Sequence, residues 1–231
     1  MIYFPNQEKA DNNIVKKENS PRRRGYAGRS ADQLIVERRQ RLLGAALELF
    51  GTQGYANTNI DKLCAEAKVT TRHFYEQFSD KESLLITVFE QVMKDTQGQV
   101  LAVMLDQRLP EEDRFFAALN AFMTAQLSDP RRARLTTIEV LGVSPATEAT
   151  RNVVMSQFTQ LIEIYMDRLA SNSQIPARNY RVLAIGLVGA MHELQIAWLN
   201  PTNHLTRELL ENEIQFLGQA FLRGAGVINA R

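Results

Sequence analysis

The chain has 231 residues, 45% apolar and 23% charged, which is room for one sizeable domain or for a small domain joined to a larger one. Its net charge of +1 excludes a uniformly basic or acidic protein, and its single cysteine, Cys64, excludes an internal disulfide or a cysteine-rich metal site. No basic start followed by an apolar core marks a secretory signal. The longest apolar run, "VLAIGLVGAM", has about half the twenty residues a membrane span needs before it meets His192 and Glu193. A cytoplasmic soluble protein with no membrane partner is expected.

Residues 1–31 are Asn- and Arg-rich and lack periodicity, so they read as a flexible basic tail. Lys16, Lys17, Arg22, Arg23, Arg24 and Arg29, followed by Arg38, Arg39 and Arg41, concentrate positive charge at this end. That suits an anionic partner such as nucleic acid, or a merely solvated tail. The helical period then takes over. Ile35, Leu42, Ala46 and Leu49 share a stripe, and Phe50 closes it before Gly51 and Gly54. Thr58, or Asn57, is placed to cap a short second helix carrying Ile60, Leu63, Cys64 and Ala67, and a third helix starts near Thr70. "SDKE" from Ser79 reads as a capping box for a fourth, with Glu82 reaching back to the Ser79 amide.

Later starts are marked by Pro110 with Glu111, Glu112 and Asp113, by Asp129-Pro130, by Ser144-Pro145 and by Pro176. Proline loses nothing in a first helical turn, and acids there complement the dipole. Leu183, Leu187, Met191, Leu194 and Trp198 form a stripe that stops at Asn200-Pro201. A last helix carries Leu210, Ile214, Leu217 and Phe221, with Leu209, Phe216 and Ala220 beside them. No segment alternates with a period of two, so the expected fold is all-α, with about nine helices.

Residues 58–78 thus read as two helices of about two turns joined by a tight turn. Helices that short are unstable alone in water. They must pack with the longer helix before them, on Leu47, Phe50, Ile60, Leu63, Phe74 and Phe78. Burying Phe74 and Phe78 leaves Thr70, Thr71, Arg72 and His73 projecting. A helix-turn-helix presents its recognition helix to the major groove in this way.

The stretch "GYANTNIDKLCAEAKVTTRHFYEQFSDKESLL" resembles the tetracycline-repressor (TetR) family of bacterial transcriptional regulators. The match lies in Gly54-Tyr55, Thr58, Ile60, Leu63, Ala67, Val69, Thr70, Tyr75, Phe78, Lys81 and Leu84, at the family's spacing. The resemblance implies a three-helix DNA-binding head over residues 32–78 and a helical ligand-binding and dimerisation domain over 79–231, with 79–107 as connecting helix. It implies a homodimeric, sequence-specific regulator, a repressor released from double-stranded operator DNA by a small apolar or amphipathic effector.

By the same resemblance, Thr71, Arg72, His73 and Tyr75 are candidates for base or adjacent phosphate contacts, Arg72 through a bidentate pair to guanine. Thr58, Asn59, Thr70 and Lys81 are expected along the DNA backbone, where contacts fix register. His73 also fits an exposed residue without a task, Tyr75 a half-core position, and Cys64 a small core residue rather than a redox sensor. "PRRRGYAGR" reads either as a minor-groove arm or as a tail acting through counterion release alone. Lys68 stands where the family usually has a turn glycine. If left-handed, it costs about 1 kcal/mol relative to Gly, with either an altered turn or a compensating phosphate contact.

In the family, a ligand enters a cavity among the middle helices and shifts the two DNA-reading heads, through different affinities for the competing states. Candidate lining residues are Phe122, Met123, Leu141, Met155, Phe158, Ile162, Tyr165, Met191, His192 and Trp198, though each also fits plain packing. His192 and Glu193 interrupt an apolar helix, as polar groups at a pocket or a dimer contact do. A major-groove reader of this size binds two half-sites as a two-fold dimer. The last helix shows two apolar faces, one able to pack within its subunit and the other against a partner. The resemblance implies an intersubunit four-helix bundle built with the helix before it, through Leu187, Leu194, Leu209, Leu210, Ile214, Phe216, Leu217 and Phe221.

No metal-ligand cluster, glycine-rich phosphate loop or Gly-x-Ser-x-Gly elbow is present, and His73, His192 and His204 are scattered. No enzyme, metal or cofactor is therefore expected. The alternative is a helical interaction module whose head binds protein, against which the clustered arginines and the polar start of the recognition helix argue.

Overall fold

The computed structural model describes residues 30–227, and among them regular structure is helical throughout: nine α-helices, one π-helical turn and one 3-10 turn. The arginine-rich tail and its expected flexibility lie outside the described residues, apart from Ser30 and Ala31. α1 (Ala31–Thr52) opens on a capping box. The Gln33 N–H donates to Ser30 Oγ at 3.1 Å, and the Ser30 N–H to Gln33 Oε1 at 2.8 Å.

α2 (Ile60–Ala67) and α3 (Thr71–Tyr75) follow, each too short to stand alone. Asn59, not Thr58 or Asn57, caps α2, its side chain accepting the Lys62 N–H. Thr58 is buried, and its hydroxyl donates to the Gly54 carbonyl at 2.8 Å instead. Thr70 caps α3, as its position suggests. α4 (Lys81–Met104) opens one residue later than "SDKE" implies. Asp80 and Ser83 form the capping box in place of Ser79 and Glu82. A carboxylate is the stronger acceptor for the helix amides, and Glu82 is used elsewhere, receiving the Thr147 hydroxyl at 3.1 Å and that of Ser144.

α5 (Glu111–Leu127), α6 (Pro130–Arg134) and α7 (Pro145–Ser171) start where Pro110, Asp129-Pro130 and Ser144-Pro145 signal. The π turn (Leu135–Glu139) continues directly from α6. α8 (Arg181–Leu199) does not start at Pro176, as the sequence suggests; the intervening loop is held by the Tyr180 hydroxyl, which donates to the Pro176 carbonyl at 2.6 Å. A 3-10 turn (Pro201–Asn203) leads to α9 (Arg207–Ala225). With 19 residues and a mean hydropathy of 1.6, α8 is long and apolar enough to cross a membrane by length and composition, contrary to the expectation from its apolar run. Its apolar residues divide between an inner row of Ala184, Leu187 and Met191 and an outer row with Val182 and Ile185 exposed.

The core has two apolar clusters. One runs without a break from Leu42, Phe50, Leu63, Phe74 and Phe78 through Leu84 and Phe89 to Leu135, Val154 and Phe158. The other joins α5, α7, α8 and α9, with Phe115 stacked on Tyr165 and on Phe221 at centroid distances of 5.4 and 5.7 Å. Each such buried side chain contributes about 1.5–3 kcal/mol. The head's packing is thereby continuous with that of the body.

Candidate nucleic-acid interface and effector cavity

The turn between α2 and α3 places Lys68 in the left-handed region, φ 53° and ψ 46°, with its N–H bonded to the Ala65 and Cys64 carbonyls. The turn keeps the shape a glycine there would give it, while the Lys68 side chain stays exposed. Phe74 and Phe78 are buried, and Arg39 covers Phe78 with its guanidinium 4.5 Å from the ring centre. With the rings turned inward, Thr70, Thr71, Arg72 and Tyr75 are exposed and His73 is half-buried.

Arg72, its side chain 87% exposed, has an ion pair to Glu76 at 3.1 Å. Such a surface pair is worth little and is readily exchanged for a base edge. His73 Nδ1 lies 2.9 Å from Thr70 Oγ1, which steadies the helix start. Burial pushes the pKa of the Cys64 thiol up, and the side chain packs in the head's core. Asn59 is exposed at the start of α2. Arg41, from the basic cluster, and Lys62, a cation not singled out from the sequence, are exposed on the same head.

Thr58 and Lys81 are placed differently from their expected role along the DNA backbone. Thr58 is buried, and the Lys81 ammonium donates to the Tyr55 and Thr58 carbonyls, each at 2.8 Å, while lying 4.0 Å from the Tyr55 ring centre. Burial lowers the Lys81 pKa. The motif spacing of these residues therefore serves a clasp between the α1–α2 loop and the start of α4.

α6 and the π turn tie α1 to the body. Arg131 pairs with Glu48 and Asp129, and its approach leaves no room for a Cβ on Gly51. At the far end of the π turn, Glu139 accepts the Tyr55 N–H at 2.6 Å and Arg134 Nε at 2.8 Å. Gly54, at φ 91°, makes the turn that brings Tyr55 there.

At its other end the π turn helps to wall a cavity of about 90 Å³ enclosed by α4, α5, α7 and α8. Of the candidate lining residues, Phe122, Met155, Phe158, Ile162, Tyr165, Met191 and His192 stand in its wall. Met123, Leu141 and Trp198 do not. Met123 is one residue, about 100° of helix, round from Phe122 and is buried in the second cluster. Leu141 is exposed just beyond the π turn, and Trp198 packs against the second cluster.

Polar members Gln126, Thr136, Thr137 and Gln195 were not foreseen, although a glutamine inside "AFMTAQL" or "HELQIAWL" was a usable signal. Gln126 donates to Thr96 Oγ1 at 2.8 Å and accepts the Thr136 hydroxyl at 3.0 Å. His192 Nε2 lies 3.3 Å from Arg151 Nη2. Because an arginine only donates, Nε2 accepts there. Burial, then Arg151, holds the His192 pKa below its ordinary value.

Leu187, Leu210, Ile214 and Phe221, expected at a dimer interface, are buried in the chain's own core, Leu187 at the cavity wall. α9 has two apolar faces, and its own subunit covers this one. Leu194 and Leu217 are half-buried. Leu209 and Phe216 remain exposed on α9, Phe216 at 65%, as does Val182 on α8 at 81%.

Residues 42–88 match the family model for bacterial regulatory proteins of the tetR family. The HTH-type transcriptional activator FasR of Mycolicibacterium smegmatis (strain ATCC 700084 / mc(2)155) is 27% identical over 184 residues, 78% of this chain and 81% of FasR. The HTH-type transcriptional regulator HbdR of Aromatoleum sp. (strain CIB) is 33% identical over 90 residues, 39% of each chain. Three solved structures share the fold. FadR of Bacillus halodurans, a fatty acid degradation regulator, superposes with a TM-score of 0.72 at 17% identity, over 84% of this chain and 97% of its own. FadR of Bacillus subtilis, in complex with stearoyl-CoA, gives 0.67 at 16% identity, over 78% and 96%. AibR, in complex with isovaleryl coenzyme A and operator DNA, gives 0.61 at 19% identity, over 77% and 95%. The matched segment contains both helices of the helix-turn-helix, the second half of α1 and the start of α4, and over these residues the chain is similar to bacterial regulatory proteins of the tetR family.

Proposed function

We propose that the protein is a homodimeric repressor that an acyl-coenzyme A thioester releases from its operator. In this reading residues 32–78 are the DNA-reading head and residues 79–231 the sensing and dimerising domain. Thr71, Arg72, His73 and Tyr75 meet base edges or adjacent phosphates, while Asn59, Lys68 and Thr70 flank them along the backbone. The second copy covers Leu209, Phe216 and Val182, which leave an apolar strip on α8 and α9 exposed to water in a single chain.

The observation that carries the effector reading is the route from cavity to head. Thr136 stands in the cavity wall, and Glu139, three residues on in the same π turn, holds the Tyr55 N–H. A ligand that repacks the wall shifts the π turn, and with it the loop that opens the helix-turn-helix. It does so to the extent that it binds the displaced state more tightly. The apolar wall suits an acyl chain, and two proteins of the same fold are described with acyl-coenzyme A thioesters.

At about 90 Å³ the cavity is smaller than the roughly 300–1,000 Å³ of typical ligand pockets. A long chain therefore enters only as Met93, Met104, Met155 and Met191 change rotamer, which methionine does readily. That expansion is the source of the conformational work. The test is fluorescence anisotropy of the operator complex titrated with stearoyl-CoA and with isovaleryl-CoA. Release by either thioester, and not by coenzyme A alone, is expected. Unchanged operator affinity with both contradicts the effector assignment, and tightened binding contradicts release, making the thioester a ligand that promotes DNA binding.

A further inference from the structure

We propose that the cavity selects a ligand that carries a hydrogen-bond donor on its apolar chain, received by the side-chain oxygen of Gln195. Gln195 lies on the cavity wall and is only 3% exposed. Its Nε2 donates to the Met191 carbonyl one turn back, at 3.0 Å. That bond fixes the amide: the reverse orientation sets two oxygens against each other. Oε1 is then buried without a partner.

The contrast with Gln126, the other glutamine of this wall, is direct. Gln126 donates to Thr96 and accepts from Thr136, so both ends of its amide are satisfied. His192, one turn before Gln195, has its Nε2 turned to Arg151. A leucine or methionine at 195 fills the same space without stranding an acceptor, and a stranded buried acceptor is costly. An incoming hydroxyl or amide N–H pairs with Oε1 and removes that cost, whereas a plain hydrocarbon leaves it standing. The ligand class is therefore an apolar chain with an alcohol or comparable donor, a hydroxylated acyl chain being one example. This rests on the cavity being the effector site, as proposed above.

The experiment compares 1-octanol with 1-methoxyheptane, which have the same atoms and differ in the donor. Binding to the full-length protein is read by displacement of an apolar fluorophore from the cavity. We expect the alcohol to bind about tenfold more tightly, the scale of one buried acceptor regaining a partner. Gln195→Met and Gln195→Leu, each first shown to melt as cooperatively as the native protein, lose that preference. Equal affinities in the native protein, as expected if a bound water serves Oε1, overturn the proposal. So does a preference that survives both substitutions, or failure of both probes to bind. Stearoyl-CoA is run beside them on the operator complex: if it fails to act while the alcohol preference holds, the acyl-thioester reading falls and this one stands.

Discussion

Replacing Lys68 by glycine separates two effects that the native residue combines. Lys68 is left-handed, at φ 53°, and closes α2 through its backbone N–H. Left-handed geometry costs a residue with a Cβ about 1–2 kcal/mol. Glycine escapes that cost but gives up about 0.5–1 kcal/mol in added freedom of the unfolded chain. The balance favours Lys68→Gly by about 0–1.5 kcal/mol, a rise in Tm of up to about 6 °C for a chain of this size. The contact from Arg41 Nη1, at 3.4 Å, goes to the Lys68 carbonyl and survives the change. The lysine charge does not. If it meets a phosphate, the slope of log affinity against log salt flattens by about 1. Lys68→Ala is the control, keeping the strain and losing the charge. Thermal denaturation and anisotropy across a salt series read both effects. A fall in Tm for Lys68→Gly refutes the strain argument, and an unchanged salt slope in both variants refutes the phosphate contact.

The other predictions concern the remaining parts of the mechanism. Phe216→Glu places a charge in the apolar strip of α9 and is expected to shift sedimentation from dimer to monomer without loss of helicity; a dimer that persists moves the interface elsewhere. Glu139→Gln weakens the charge-assisted bond from the Tyr55 N–H by about 1–3 kcal/mol and should speed hydrogen exchange at Tyr55 while blunting the effector response; an unaltered response removes the π turn from the route. His192 titrates below its ordinary value when folded, so the unfolded chain takes up the proton first as the pH falls. Stability contributed by neutral His192 is present above about pH 6.5, declines as the pH falls through that value and levels off below the folded pKa. Denaturation midpoints from pH 7.5 to 5 should therefore flatten in His192→Gln, and equal slopes in both proteins contradict the assignment.

The helix-turn-helix was readable because its constraints are local. Two short helices, a polar start and two aromatics leave few ways to pack, and Thr70 caps α3 where the sequence places it. Prolines at 110, 130 and 145 mark helix starts for an equally local reason. Pro176 misleads because a proline also suits a loop, here one held by Tyr180. "SDKESLL" permits two capping frames, and what decides between them is the use of Glu82 by Ser144 and Thr147, some sixty residues away. Burial is also non-local. Lys81 resembles a phosphate contact until the Tyr55 and Thr58 carbonyls are seen around it. The apolar period of α9 predicts two faces but not that Leu210, Ile214 and Phe221 are consumed inside the chain. The cavity shows the same limit: periodicity finds its apolar rows but not the paired Gln126 or the unpaired Gln195.

The central claim is that the exposed start of α3 reads DNA sequence. Its most direct test is fluorescence anisotropy of the native protein and Arg72→Ala on duplexes tiling the DNA upstream of the protein's own gene, across a salt series. The account predicts one tile bound at least about a thousandfold more tightly than the rest. Arg72→Ala should weaken that tile by roughly 1–3 kcal/mol, leave the others little changed and keep the oligomeric state. Uniform, salt-sensitive binding of every tile, or equal affinity of native protein and variant for the tight one, contradicts it.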